Sequence, residues 1–182
     1  MSKHLKRILI GLAILVVVVI AVLRILKIQT KKASPQETVT FWVDDLQVAI
    51  DYSRPSKKGR EIFGGLVPYG KVWRTGANEA TTFTVNKRIT FVGTPVPVGT
   101  YTLWTIPGPK QWTVILNDRK YGWGIDMDGN ASRDPQADVA KANVPVTLLE
   151  QPVEQFTIEV GQDPTELILK WDNVQVAVPL EQ

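Results

Sequence analysis

The chain has 182 residues, with 21 Lys and Arg against 18 Asp and Glu, one histidine and no cysteine. That length allows one ordinary domain with some chain left over. The lack of cysteine, with His4 the only histidine, excludes disulfides, thiol-linked lipids and zinc, copper or haem held by the usual His/Cys sets; a Ser-His-Asp or Cys-His nucleophile in the domain beyond His4 is excluded too.

The surplus sits at the front. After a tail, residues 1–7, the run ILIGLAILVVVVIAVL (8–23) carries no charge and continues through Arg24 into ILKI. At about 1.5 Å per residue, residues 8–28 reach roughly 30 Å, the thickness of a bilayer core. Arg24 and Lys27 lie near one end, where long side chains snorkel to the headgroups. A cleaved signal peptide is the rival reading. The RILKIQTKK that follows the run offers no small-x-small site, which favours an uncleaved anchor in the lipid bilayer. Basic residues flank both ends, so charge does not settle orientation. A short leading tail usually stays cytoplasmic, which puts the rest of the chain on the extracytoplasmic, periplasmic side of the inner membrane.

The linker, residues 29–37, spans at most about 30 Å. From residue 38 to 182 the pattern alternates. TVTFWV (38–43) and LQVAIDY (46–52) flank Asp44-Asp45; TTFTV (81–85), ITFVG (89–93), TYTLWTI (100–106) and QWTVILN (111–117) follow; VPVTLL (144–149), EQFTIEV (154–160), ELILKW (166–171) and VQVAVPL (174–180) complete the set. Eight to ten short strands separated by Pro and Gly signals predict an all-β antiparallel sandwich. DPQADVAKANV and REIFGGL each have room for one helical turn. Alternation places Phe83, Val85, Tyr101, Leu103, Trp112, Val114, Leu116, Phe156, Ile158 and Val160 on inward faces.

Charge is unevenly spread. Seven basic residues and no acidic ones lie before Ala33, leaving fourteen against eighteen for the domain. Residues 53–88 hold eight basic residues against Glu61 and Glu79, or +6. One local patch in an acidic domain is no nucleic-acid footprint.

Inside that patch lies GGLVPYGKVWRTGANEA (64–80). Its Gly65-x-x-x-x-Gly70-Lys71 spacing matches a phosphate loop, but the context fails. Val72 stands where Ser or Thr must hold magnesium, Pro68 removes an N–H donor, and no strand-loop-helix unit surrounds it. No nucleotide partner follows. Lys58 or Lys71 with Asn78 and Glu79 has the residue types of an isopeptide crosslink, which needs apolar burial. Arg74 and Lys71 near Glu79 favour its ionised form, so ion pairing is preferred over acid catalysis.

Two readings of the block remain. In one, Arg54, Lys58, Arg60, Tyr69, Trp73, Arg74, Asn78 and Glu79 form a site for an anionic or glycan ligand or a partner. In the other, the arginines pair with the acidic strands at 150–172. No catalytic residues or cofactor are assigned. A metal is not expected, the weak exception being calcium at Asp126, Asp128, Asn130 and Asp134; these lack the regular acidic series of a calcium loop, so a solvated turn is the better reading.

YSRPSKKGREIFGGLVPYGKVWRTGANEATTF resembles the signature of the bacterial family called domain of unknown function 2911. The likeness continues through PVGTYTLWTIPGPKQWTVILN, DVAKANVPV, EQFTIEV and LILKWDNVQVAVPL, covering about residues 39–180. The resemblance implies an exported β-sandwich, in support of the extracytoplasmic orientation, and supplies no catalytic roles. Together these readings point to a single-pass membrane protein whose domain acts as a non-catalytic accessory or scaffold subunit beside other membrane proteins. The alternative is a binding module, with or without catalysis, centred on the 53–79 block.

Overall fold

The computed structural model describes residues 2–181, which fall into two compact units, one ending at Ala33 and the other beginning at Ser34. The first is a single helix, α1 (Lys3–Ala33), none of whose residues is buried. Ser2 caps it, its hydroxyl accepting from the Leu5 N–H at 3.2 Å. Lys31 and Lys32 fill the last turn, where the helix dipole favours cations. Pro35 then biases Ser34 away from helical backbone. The helix is long and apolar enough to cross a membrane. It runs past both ends of the expected 8–28 span and, with a strand starting at Gln36, occupies most of the expected 29–37 linker.

Among the described residues, the second unit contains ten strands in two antiparallel sheets. The larger is ordered β1-β2-β3-β6-β7-β8, from β1 (Gln36–Val43), β2 (Leu46–Ser53), β3 (Thr82–Val85), β6 (Gly99–Ile106), β7 (Gln111–Asn117) and β8 (Asp138–Pro145). The smaller is ordered β5-β4-β10-β9, from β4 (Ile89–Phe91), β5 (Thr94–Val96), β9 (Thr147–Gln162) and β10 (Thr165–Glu181). The β1–β2 hairpin turns at Asp44, which takes φ 54. This is the left-handed conformation that Asp tolerates better than most residues.

Every position expected to face inward by alternation is buried, from Phe83 and Leu103 to Phe156 and Val160. Fully burying each of these aliphatic or aromatic side chains is worth about 1.5–3 kcal/mol. Phe63, Trp112, Phe156 and Trp171 are buried and Trp73 is partly so; together they form a cluster at one end of the core. Within it Phe63 meets Trp112 edge-on at 4.8 Å, and Trp73 stacks on Trp171 at 5.9 Å.

Several boundaries differ from the sequence expectation. The two final strands are one, β10, whose register against β9 shifts on both sides of Asp172, which adopts φ 52. The extra residues lie on β9, between Leu148 and Thr157, so the irregularity does not end β10. The DPQADVAKANV segment yields a 3-10 turn, Pro135–Ala137, and then strand β8. Its alternation of Ala140, Ala142 and Val144 inward decides for strand. The expected 144–149 strand is thereby divided between β8 and β9. The REIFGGL segment is not helical; it folds back so that Phe63 bridges Val67. The short strand β5, containing Pro95, gave no signal because proline argues against a strand anywhere but an edge, which is where β5 lies.

Candidate functional site

The basic block begins where β2 leaves the larger sheet. Beyond Ser53 the chain continues alongside β9 of the smaller sheet: Lys57 N–H donates to Glu154 O at 2.7 Å, and Phe156 N–H to Pro55 O at 2.9 Å. Arg54 stands at this crossing. Its Nε donates to the Phe156 carbonyl at 3.1 Å, one terminal nitrogen to Thr157 Oγ1 at 2.9 Å and the other to the Glu37 carboxylate. One planar guanidinium thus joins β1, the end of β2 and β9, a task its fixed fork of donors suits. Tyr52 beside it accepts the Ile158 N–H at 3.1 Å, and burial pushes its phenol pKa up. Lys57 pairs with Asp172 on β10, and Lys58, at φ 50, has its N–H bonded to Glu154.

Residues 60–70 close the end of the sandwich. Arg60 folds onto its own turn, donating to Lys57 O at 3.0 Å and Ser56 O at 2.5 Å. The reversal between Glu61 and Val67 drives Ile62, Phe63 and Val67 into the core and leaves Leu66 and Tyr69 outside. Gly65 is needed here because a Cβ would lie 2.7 Å from the Glu61 carbonyl oxygen. The Tyr69 ring covers Gly64, where a Cβ would come within 2.9 Å. Gly65 and Gly70 therefore serve a plug, which explains glycine spacing that matches a phosphate loop.

Residues 71–75 then lie along β6. Trp73 and Thr105 exchange backbone bonds of 2.7 and 3.0 Å. Trp73 joins the aromatic cluster, with its Nε1 donating to Gly76 O at 2.9 Å. Arg74 donates to the Trp123 carbonyl at 2.9 Å and lies 5.8 Å from that indole's centroid. Burial lowers its pKa, opposed by the charge of nearby Glu79. Asn78, at φ 57, donates to Ser34 O at 3.2 Å.

The expected site residues therefore divide. Arg54, Trp73, Arg74 and Asn78 are turned into the domain's own backbone and core; Lys58, Arg60 and Tyr69 stay on its surface. Lys58 and Lys71 are both exposed, so neither has the apolar burial an isopeptide bond needs. Two of the four calcium candidates, Asp126 and Asp134, have their carboxylates engaged in local structure. Asp126 accepts the N–H groups of Asp128 and Asn130 at 3.0 and 2.8 Å, while Asp134 accepts from Gln136 N–H at 2.9 Å and pairs with Arg119. Among the described residues no group of three or more His, Cys, Asp or Glu is placed to hold a metal.

One buried polar knot has no counterpart in the sequence reading. Asn117, fully buried, donates to Asp134 O at 2.8 Å and to an Asp138 carboxylate oxygen at 2.9 Å. Its own oxygen accepts from the Tyr121 hydroxyl at 3.1 Å and the Arg119 N–H at 3.1 Å. Asp138 also pairs with Arg133 and, at 2.8 Å, with Lys141. Burial pushes the Asp138 carboxyl up, but these donors outweigh it and hold its pKa below the ordinary value. The knot fastens the 118–137 loop over the outer face of the larger sheet, where Trp104 and Ile115 form a second small core with Ala80. No spacing motif marks it, since its members meet only through the β7–β8 register.

These features define a two-sheet antiparallel β-sandwich with a plugged end, preceded by one helix of membrane-spanning length. The chain belongs to the family described as Protein of unknown function (DUF2911), whose model matches residues 34–180. No curated protein and no solved structure matches it.

Proposed function

We propose that this is a single-pass membrane protein displaying an extracytoplasmic, periplasmic β-sandwich as a non-catalytic accessory or scaffold subunit of a membrane protein complex. The observation that carries this reading is the fate of the basic block. Arg54 and Arg74, both partly buried, donate to carbonyl oxygens of the domain itself. Guanidiniums committed in this way stabilise a rigid body and are not turned towards a dissolved anion. The apolar helix α1 supports the anchoring, and the family's exported character supports the side of the membrane.

The test is purification of the full chain in a mild detergent, followed by native mass spectrometry and identification of the proteins that accompany it. A stoichiometric membrane partner is expected. A monomer without partners overturns the subunit reading. Arg74→Ala separates the rival binding module: if the fold persists while binding to a carboxylated or glycan ligand is lost, the block is a ligand site.

A further inference from the structure

The plug has an outer surface that the sandwich itself does not use. Leu66 and Tyr69 are 46% and 43% exposed although their neighbours Ile62 and Val67 are buried. The same segment carries Lys58, Arg60 and Lys71, all exposed, against the single acid Glu61 within residues 58–71, with the Glu154 carboxylate held on the Lys58 N–H. A tyrosine and a leucine in a segment rich in lysine and arginine match the boundary between water and lipid, where aromatic rings sit at headgroup level and basic side chains meet phosphates.

The register shows which end of the domain carries this surface. Gln36 pairs with Ser53 at one end of the β1–β2 hairpin, and Val43 with Leu46 at the other. Arg54 N–H donates to Pro35 O at 2.8 Å and Asn78 reaches Ser34 O, so the basic block begins at the Ser34 end. β3 starts beside Asp51, and β6 runs past it from Gly99 to Ile106, so the β6–β7 turn projects at that same end. Gly70 N–H donates to Pro107 O in that turn at 2.8 Å. Plug and chain origin thus share one end, whereas Val98, 60% exposed, follows β5 at the end bearing Val85 and Gly99. Ser34 is covalently the next residue after α1.

From these relationships we infer that the plug surface formed by Lys58, Arg60, Leu66, Tyr69 and Lys71 docks on the anionic headgroup layer of the bilayer that holds α1. The inference rests on the anchoring proposed above. With two residues between helix and β1, the lipid surface is the one partner that chain connectivity keeps within reach of this end. Charge and apolar character on the plug match that partner's chemistry. Docking adds a second attachment that fixes which face of the sandwich looks away from the membrane.

The absence of cysteine makes the test direct. Full-length Leu66→Cys, Tyr69→Cys, Val98→Cys and, within the helix, Leu15→Cys chains are labelled with one fluorophore each. They are reconstituted into phosphatidylcholine vesicles containing phosphatidylglycerol and a lipid-borne quencher. Loss of fluorescence is expected at 15, 66 and 69 and not at 98, with the loss at 66 and 69 reduced in phosphatidylcholine alone or by Lys58→Glu with Lys71→Glu. Quenching at 15 with none at 66 and 69 overturns the docking while leaving the anchor intact. No quenching at 15 overturns both. Energy transfer between 66-labelled chains that rises with protein density assigns the face to a second copy instead, and also overturns it.

Discussion

Arg54 donates to the Phe156 carbonyl, a partner 102 residues away in sequence, while its other nitrogens hold Glu37 and Thr157. It is a cross-brace between the sheets at the point where β2 passes from one to the other. Lysine carries the charge but not the fork of donors. Arg54→Lys is expected to cost about 1 kcal/mol and Arg54→Ala about 2 kcal/mol, since truncation leaves part-buried acceptors unmet. Urea unfolding of the micelle-bound chain, followed by tryptophan fluorescence, reads both.

Arg133 and Asp138 form an enclosed ion pair, with side chains 10% and 4% exposed. Removing one charge strands the other. Asp138→Ala is expected to destabilise by about 3–5 kcal/mol and to release the 118–137 loop. Faster amide exchange at Tyr121 and Trp123 than in the parent chain is the accompanying signature.

The same carboxylate sets an acid limit. Its folded pKa lies below the ordinary 3.8. The unfolded chain therefore binds this proton first as pH falls, and the stabilisation, complete well above 3.8, is lost as pH drops through the folded value. Melting temperature is expected to decline below about pH 4, and Asp138→Asn is expected to flatten that part of the profile. An unchanged acid limb in the variant contradicts the assignment.

Gly65 and Gly70 occupy the positions a phosphate loop would need, yet the structure gives them different duties. A methyl at Gly65 meets the Glu61 carbonyl, whereas Gly70 has open space and only its φ of +70 to protect. Gly70→Ala is expected to cost about 1 kcal/mol from backbone strain. Gly65→Ala should cost about 2–3 kcal/mol because backbone must move. Comparing the two urea midpoints checks the order. Addition of ATP should shift neither.

Much of the fold is legible in the residues themselves. Alternation in TTFTV, QWTVILN and EQFTIEV places Phe83, Trp112 and Phe156 inward because a sheet with one wet face has a period of two. The block 53–80 is legible as a unit, and its glycines as turns. What lies beyond sequence is where a donor points. Arg54 and Arg74 look alike as text, and only tertiary register turns them onto carbonyls at positions 156 and 123. Asn117 is hidden for the same reason. It ends a strand as many surface asparagines do, and becomes the hub of a buried knot only when β8 and the 118–137 loop close over it.

The passage of residues 55–57 along β9 has a consequence for crowding. β9 is the terminal strand of its sheet, and a bare terminal strand invites pairing with any similar strand that drifts past. Confinement to a bilayer would raise the frequency of such encounters, because neighbouring copies then search a plane instead of a volume. Here the ladder positions around Gln155 are already occupied by the chain's own Pro55, Ser56 and Lys57. The crossing that ties the two sheets together also keeps identical neighbours from zipping together along that stretch.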